Sequence, residues 1–186
     1  LSLFEGQFEE INFRDQMDIQ EPDFLNMLNG KSGALSACAA YFSVIPNDSI
    51  NNLENQAAYD RIGLNIGVSL QIFKDINAIW GPDNTGVTRD NLMLRRKTLP
   101  LIYSLNAVDE STKRTILSAY MNRIMSDSDG SNLVAIMAKS GGKDYAASKA
   151  LALYDTSVEA IRENIKIVSD DDLKTLSDLY SHFLNI

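Results

Sequence analysis

The sequence predicts an all-α protein, and three observations carry the prediction. Leu, Ile and Ala are abundant, proline accounts for 4 of 186 residues, and alternating β-branched runs are nearly absent. Helix-start chemistry recurs along the chain, at Glu21-Pro22, Asp48-Ser49 and Asp109-Glu110-Ser111-Thr112. The stretch from Ala58 to Gly81, AYDRIGLNIGVSLQIFKDINAIWG, repeats apolar residues at Ile62, Ile66, Leu70, Phe73 and Trp80 with helical spacing. A helix apolar round most of its circumference belongs at the centre of a bundle. The length suits one domain with a real core and is too short for two ordinary ones, so residues 1–186 are expected to form a single helical domain.

Taken in order, Phe4 to Met17 forms a first helix in which Gly6 allows close approach of a neighbour. Glu21-Pro22 opens a second, with proline in its first turn. It leads through Asn29-Gly30-Lys31-Ser32-Gly33 into the small-residue run SACAA. Lys31, between two glycines, is expected where the helix kinks or opens, with its ammonium directed at whatever fills the cavity. Pro46-Asn47-Asp48-Ser49 is a turn before the central helix, which runs to about Trp80. Gly63 and Gly67 predict tight packing against a neighbour, and Trp80 an anchor in core or loop. Lys74, Asp75 and Asn77 would be buried at the helix's end only with polar partners, so something polar is expected there.

Gly81 to Gly86 is a loop. From Leu92 to Asn106 a basic cluster, Arg95-Arg96-Lys97, precedes an apolar helix with Pro100 in its first turn. Cations beside a helix N-terminus make an anion site, because free N–H groups and the helix dipole add to their charge. A helix from Asp109 through Met125 follows, then a polar loop from Ser126 to Ser131, a short helix to Lys139 ended by Gly141-Gly142, an amphipathic helix from Lys143 to Ile167 and a last one from Asp170 to Leu184.

Composition sets limits on function. A net charge of −8 argues against nucleic acid or an anionic membrane as a bulk partner. Cys38 is the single cysteine, expected as a small buried residue, so disulfide and zinc readings have nothing to work with and a reducing, cytoplasmic setting is expected. No apolar run reaches the ~20 residues of a membrane span. His182, the only histidine, has no nameable acid–base partner and is expected at the surface.

Several segments together resemble the second half of the isoprenyl (polyprenyl) diphosphate synthases. The family's F-Q-x-x-D-D-x-x-D, or Q-x-D-D-I-L-G-I-W-G in one branch, matches the run from Gln71 to Gly81; its G-x-x-x-D matches Gly86 and Asp90; its K-x-T-L-P matches Arg96-Lys97-Thr98-Leu99-Pro100. KSGALSACAA from Lys31 resembles K-T-G-A-L-x-x-x-A-A, and GQFEE resembles G-Q-x-x-D with Glu10 where Asp is usual. The resemblance implies an isoprenoid synthase-type helical bundle, of which this chain is the C-terminal portion. It implies ionisation of an allylic diphosphate, attack by isopentenyl diphosphate or another acceptor, and loss of a proton. Lys31 and Gln71 then carry the chemistry, with Lys31, Ser32, Lys74, Arg95, Arg96 and Lys97 on the diphosphate and Asp75 as metal ligand. The cofactor implied is Mg²⁺, and the partner is an N-terminal half or catalytic chain bearing the first aspartate-rich motif, in a homo- or hetero-oligomer.

The second aspartate-rich motif departs from the family. Lys74, Asp75, Asn77 and Ala78 stand where Asp, Asp, a variable residue and Asp or Gly are usual, and an ammonium repels magnesium, so a weakened metal site is expected. Two readings of the substitution stand. Lys74 contacts diphosphate in place of a metal, or the chain keeps the fold and serves as a non-catalytic partner or binding protein. A terpene cyclase of the same fold is a third, against which KSGAL and KTLP point to chain elongation.

Overall fold

The structure is a computed structural model that describes residues 1–44, 53–81, 92, 94–122, 125–164 and 169–184. Among these, every regular element is a helix: α1 (Ser2–Phe13), α2 (Glu21–Leu28), a π-helical turn (Asn29–Gly33), α3 (Ala34–Val44), α4 (Leu53–Trp80), α5 (Leu99–Ala107), α6 (Glu110–Met121), α7 (Asp127–Lys139), α8 (Gly142–Asn164) and α9 (Asp170–Leu184). The expected all-α fold is therefore the one observed.

α4, 28 residues long, is the helix the others pack on, with α3 along one side, α8 along another, and the π turn and α9 beside them. The α3 contact is made through glycine. A Cβ on Gly63 would lie 2.5 Å from Ala37 Cα, and one on Gly67 would collide with the Ser32 carbonyl oxygen and the Ser36 side chain. Backbones can approach this closely only where a side chain is missing, which is what the Gly63/Gly67 spacing predicted.

Among the described residues, three apolar clusters follow from the inward faces. The largest joins Phe24, Met27 and Leu28 of α2 to Val68, Ile72, Phe73 and Ile76 of α4, Leu99 and Ile102 of α5, Ala146 and Ala150 of α8 and Tyr180 of α9. Full burial of a side chain such as Phe24 or Phe73 stabilises the fold by roughly 1.5–3 kcal/mol. A second cluster gathers Ile79 and residues of α5, α6 and α7, and a third sets Ile62 against Ala160 and Ile161. Trp80 packs against the first two, the anchor expected of it, with the Lys143 ammonium 5.7 Å from its ring centroid.

The structure corrects some local expectations. Ser126–Ser131 is not a loop: α7 begins at Asp127, because Ser126 and Asp129 form a reciprocal capping box that satisfies the first amides and tolerates Gly130 inside the helix. Cys38 is exposed rather than buried, since Ala37 and not Cys38 faces Gly63. The helix after the basic cluster, by contrast, begins at Leu99 with Pro100 in its first turn, as expected. The turn at Pro46 to Ser49, Gly86, Asp90 and the His182 side chain lie outside the described residues. No helix among the described residues is long and apolar enough to cross a membrane.

α1 turns Gly6 and Glu10 inward and an apolar stripe outward. Gly6 presses on the π turn, where an added Cβ would lie 2.6 Å from the Lys31 amide nitrogen, while Phe4 and Phe8 on the opposite face are 78% and 64% exposed. On the adjacent α3, Leu35, Cys38 and Phe42 likewise form an exposed stripe at helical spacing.

Candidate functional site

The site begins with the π turn. The Ala34 amide donates to the Asn29 carbonyl, five residues back, so the chain from Asn29 to Gly33 holds one residue more than an α-helical turn. Gly30 and Gly33 let this widened turn sit against α1 and α4. The helix does open at Lys31, as its flanking glycines predicted.

Lys31 Nζ lies 2.7 Å from Glu10 Oε2 on α1, with both side chains largely covered. The Glu10 carboxyl feels burial, which acts to raise its pKa; hydrogen bonding and attraction to Lys31, with help from Arg96 and Gln7, outweigh that and hold it below the ordinary range. Next along the turn, Ser32 Oγ donates to Gln71 Oε1 at 3.1 Å, and Gln71 Nε2 donates to Asp75 Oδ1 at 2.8 Å. Gln71 and Asp75 meet because they are four apart on α4. Asp75 keeps some accessible surface as a residue, but burial of its carboxyl dominates over Gln71, Lys31 and Arg96 and pushes it up to about 7.

The fourth wall is the segment before α5. Arg96, Lys97 and Thr98 join Glu10, Lys31, Gln71 and Asp75 around a cleft of about 20 Å³ floored by Phe24, Met27 and Leu28 of α2. Arg96 Nε and Thr98 Oγ1 are buried there with no hydrogen-bond partner. Buried polar atoms normally find partners, so orphans lining one cleft are what a polar ligand would satisfy. Lys97 is 8% exposed; its Nζ donates to the Arg14 carbonyl at 3.0 Å and sits 4.6 Å from the Tyr120 ring centroid. Burial, reinforced by Arg95, brings its pKa down to about 8.

Of the residues singled out from sequence, the fold brings together Lys31, Ser32, Gln71, Asp75, Arg96 and Lys97. It does not bring Lys74 or Arg95 among them. Lys74 is exposed and absent from the cleft walls, one helical step from Asp75 but on a different face. Arg95 turns away: its backbone adopts φ 57°, and its guanidinium donates to the Asn122 carbonyl at 2.5 Å, tying the segment to the end of α6. Sequence reasoning left Glu10 outside the site, although its place at the end of GQFEE was the signal that could have found it. Thr98 was likewise read only as part of the KTLP resemblance.

Among the described residues no three Asp, Glu, His or Cys side chains converge on a point that could hold a metal ion. The KDINA stretch brings one carboxylate, Asp75, and that one is disposed to hold a proton near neutrality; Glu10 is committed to Lys31. These residues by themselves do not fit a magnesium site.

The fold and site together define an all-helical bundle with a small cleft lined by cations, an amide and carboxyl groups. Comparison then gives the family. The polyprenyl synthetase family profile matches residues 1–137, and the chain belongs to that family. It is 29% identical over 183 residues to a geranylgeranyl diphosphate synthase of Mycobacterium tuberculosis, covering 96% of this chain and 50% of that protein. A geranylfarnesyl diphosphate synthase of Aeropyrum pernix is 31% identical over 152 residues, 81% of this chain and 46% of the relative. The crystal structure of geranylgeranyl pyrophosphate synthetase from Pyrococcus horikoshii superposes with a TM-score of 0.79 at 25% identity, over 99% of this chain and 54% of that one. A further geranylgeranyl pyrophosphate synthase crystal structure, with a TM-score of 0.84 at 18% identity over 98% of this chain and 56% of that one, shares the fold. The chain thus spans about half the length of the relatives it matches.

Proposed function

We propose that this chain is the diphosphate-gripping portion of an isoprenyl diphosphate synthase-type prenyltransferase, which condenses an allylic diphosphate with isopentenyl diphosphate or another acceptor. The observation that carries the reading is the convergence of Lys31, Arg96 and Lys97, from two segments far apart in sequence, on one cleft whose buried Arg96 Nε and Thr98 Oγ1 lack partners. Cations held in place before the reaction stabilise the negative charge that grows on a leaving diphosphate as its carbon–oxygen bond breaks. Lys31 offers a compact point charge, Arg96 a planar fork, and Gln71 hydrogen-bonds beside them. In the family magnesium shares the diphosphate's charge; among the described residues of the KDINA stretch, Asp75 alone would face it as a carboxylate.

The partner this reading requires is an additional helical half bearing the first aspartate-rich motif, in a homo- or hetero-oligomer. The exposed stripes on α1 and α3 support it, because a contiguous apolar patch on a protein surface ordinarily marks a face that another element covers. A cytoplasmic setting is part of the same proposal.

A second reading is favoured by Lys74: a member that keeps the fold as a non-catalytic subunit. Prenyl transfer by the complete enzyme with Lys31→Ala or Arg96→Ala decides between them. Loss of a preorganised electrostatic contact lowers kcat by about 10²–10³. Unchanged rates in both variants would leave the non-catalytic subunit.

A further inference from the structure

We infer that Glu10 is an internal counter-anion that occupies Lys31 in the empty cleft and that a diphosphate group must displace in order to bind. The inference rests on the diphosphate reading above and adds a competitor to it.

Geometry comes first. Glu10 Oε2 stands 2.7 Å from Lys31 Nζ, the separation of a strong charge-assisted hydrogen bond. Gln7 Nε2 donates to the same oxygen at 3.0 Å, so the carboxylate is held from its own helix as well. Both charges are mostly covered, with side-chain exposures of 23% for Lys31 and 14% for Glu10, so water screens the pair weakly. The cleft left between α1, α4 and the segment before α5 is about 20 Å³. That is room for about one water molecule and far too little for a diphosphate. An anion that reaches Lys31 therefore needs the volume the Glu10 carboxylate now fills, and it would meet Glu10 as a like charge if the carboxylate stayed.

Glu10 is also the wall of the cleft able to yield. It projects from α1, which meets the bundle at its edge through the π turn, α2 and α3, whereas Gln71 and Asp75 project from the central helix. A glutamate has one more rotatable bond than an aspartate, so it can reach Lys31 from α1 and also swing clear. The neighbouring charges act together: Asp75 lies behind Gln71, and Arg96 faces Glu10 from the opposite wall. With the Glu10 charge removed, Asp75 is the one carboxyl group left among the described residues that line the cleft beside Lys31, Arg96 and Lys97, while Asp15 acts on Lys97 from outside it.

A ligand whose binding-competent state is only partly populated binds more weakly in proportion to that fraction. Neutralising Glu10 without changing its size should therefore tighten the binding of an anion. The test is calorimetric titration of this chain with inorganic pyrophosphate, free of divalent metal, at neutral pH. Glu10→Gln is expected to lower Kd on the order of tenfold, and Glu10→Asp, which draws the charge back from Lys31, by less. An unchanged or higher Kd in Glu10→Gln, while Lys31→Gln weakens binding, overturns the counter-anion and leaves the diphosphate reading standing. Unchanged Kd in Lys31→Gln removes the diphosphate reading and this inference together. Circular dichroism melts of each variant establish that it is folded, and Glu10→Asp supplies the answer if Glu10→Gln is not.

Discussion

Replacing Gly63 by alanine tests how the fold holds the cleft. A Cβ there meets Ala37 Cα at 2.5 Å, the Ser36 carbonyl oxygen at 2.7 Å and the Ala37 nitrogen at 2.8 Å, all backbone atoms of α3 that no rotamer change can move aside. Ordinary contact begins at 3.4 Å, so α3 and α4 must part by about 1 Å. Overpacking of this kind destabilises by about 1–3 kcal/mol, while alanine in mid-helix returns roughly 1 kcal/mol of intrinsic propensity. Because the atoms met are backbone, the upper part of the overpacking range applies, about 2–3 kcal/mol, and the net expectation is a loss of about 1–2 kcal/mol, or roughly 2–8 °C in Tm for a chain of this size. The same displacement lengthens the 3.1 Å bond from Ser32 to Gln71 beyond hydrogen-bond range, so pyrophosphate affinity should fall with stability. Urea denaturation followed by circular dichroism measures the first and calorimetry the second. Gly130→Ala is the control: nothing lies within 4 Å of its added Cβ, and it sits inside α7, so it should stabilise by about 0.5–1 kcal/mol. A Gly63→Ala protein as stable as the native one would refute the claim that backbone contact between α3 and α4 sets the site's geometry.

Ser126→Ala removes the α7 capping box and should cost about 1 kcal/mol, read from the urea midpoint. The folded protein raises the Asp75 pKa to about 7 from an ordinary 3.8, so between these pH values the native state binds more protons than the unfolded one. Stability should therefore fall as pH rises from about 4 to 7, and Asp75→Asn should flatten that part of the profile; an unaltered slope would show that the Asp75 carboxyl is hydrated. Lys97 has the opposite sense: its folded pKa is lowered to about 8 from 10.5, so stability should rise with pH across that interval and Lys97→Met should abolish the rise. Phe4→Ser with Phe8→Ser should change the stability of this chain by less than about 0.5 kcal/mol, because both rings already face solvent.

The sequence by itself determined the helical class, the central helix and its tight seam, because helical periodicity and glycine spacing are local properties that survive in almost any tertiary context. It also offered Lys31, Arg96 and Lys97 as candidate cations through the KSGAL and RRKTLP segments, along with Lys74 and Arg95 that the cleft leaves out, and it predicted the opening of the chain at Lys31. Helix ends were less legible. A capping box at Ser126 turned a polar, glycine-containing stretch into the first turn of α7, and the helix expected to run through Met125 stops at Met121, where Asn122 turns extended. Only the tertiary structure decided which charged groups share the cleft. Lys74 and Asp75 are neighbours in sequence yet diverge by the turn of one helical step, whereas Glu10 and Lys31 lie 21 positions apart and touch because Gly6 lets α1 settle onto the π turn. Direction of a side chain and distance between helices depend on packing across the whole bundle, and no single stretch of sequence contains that information.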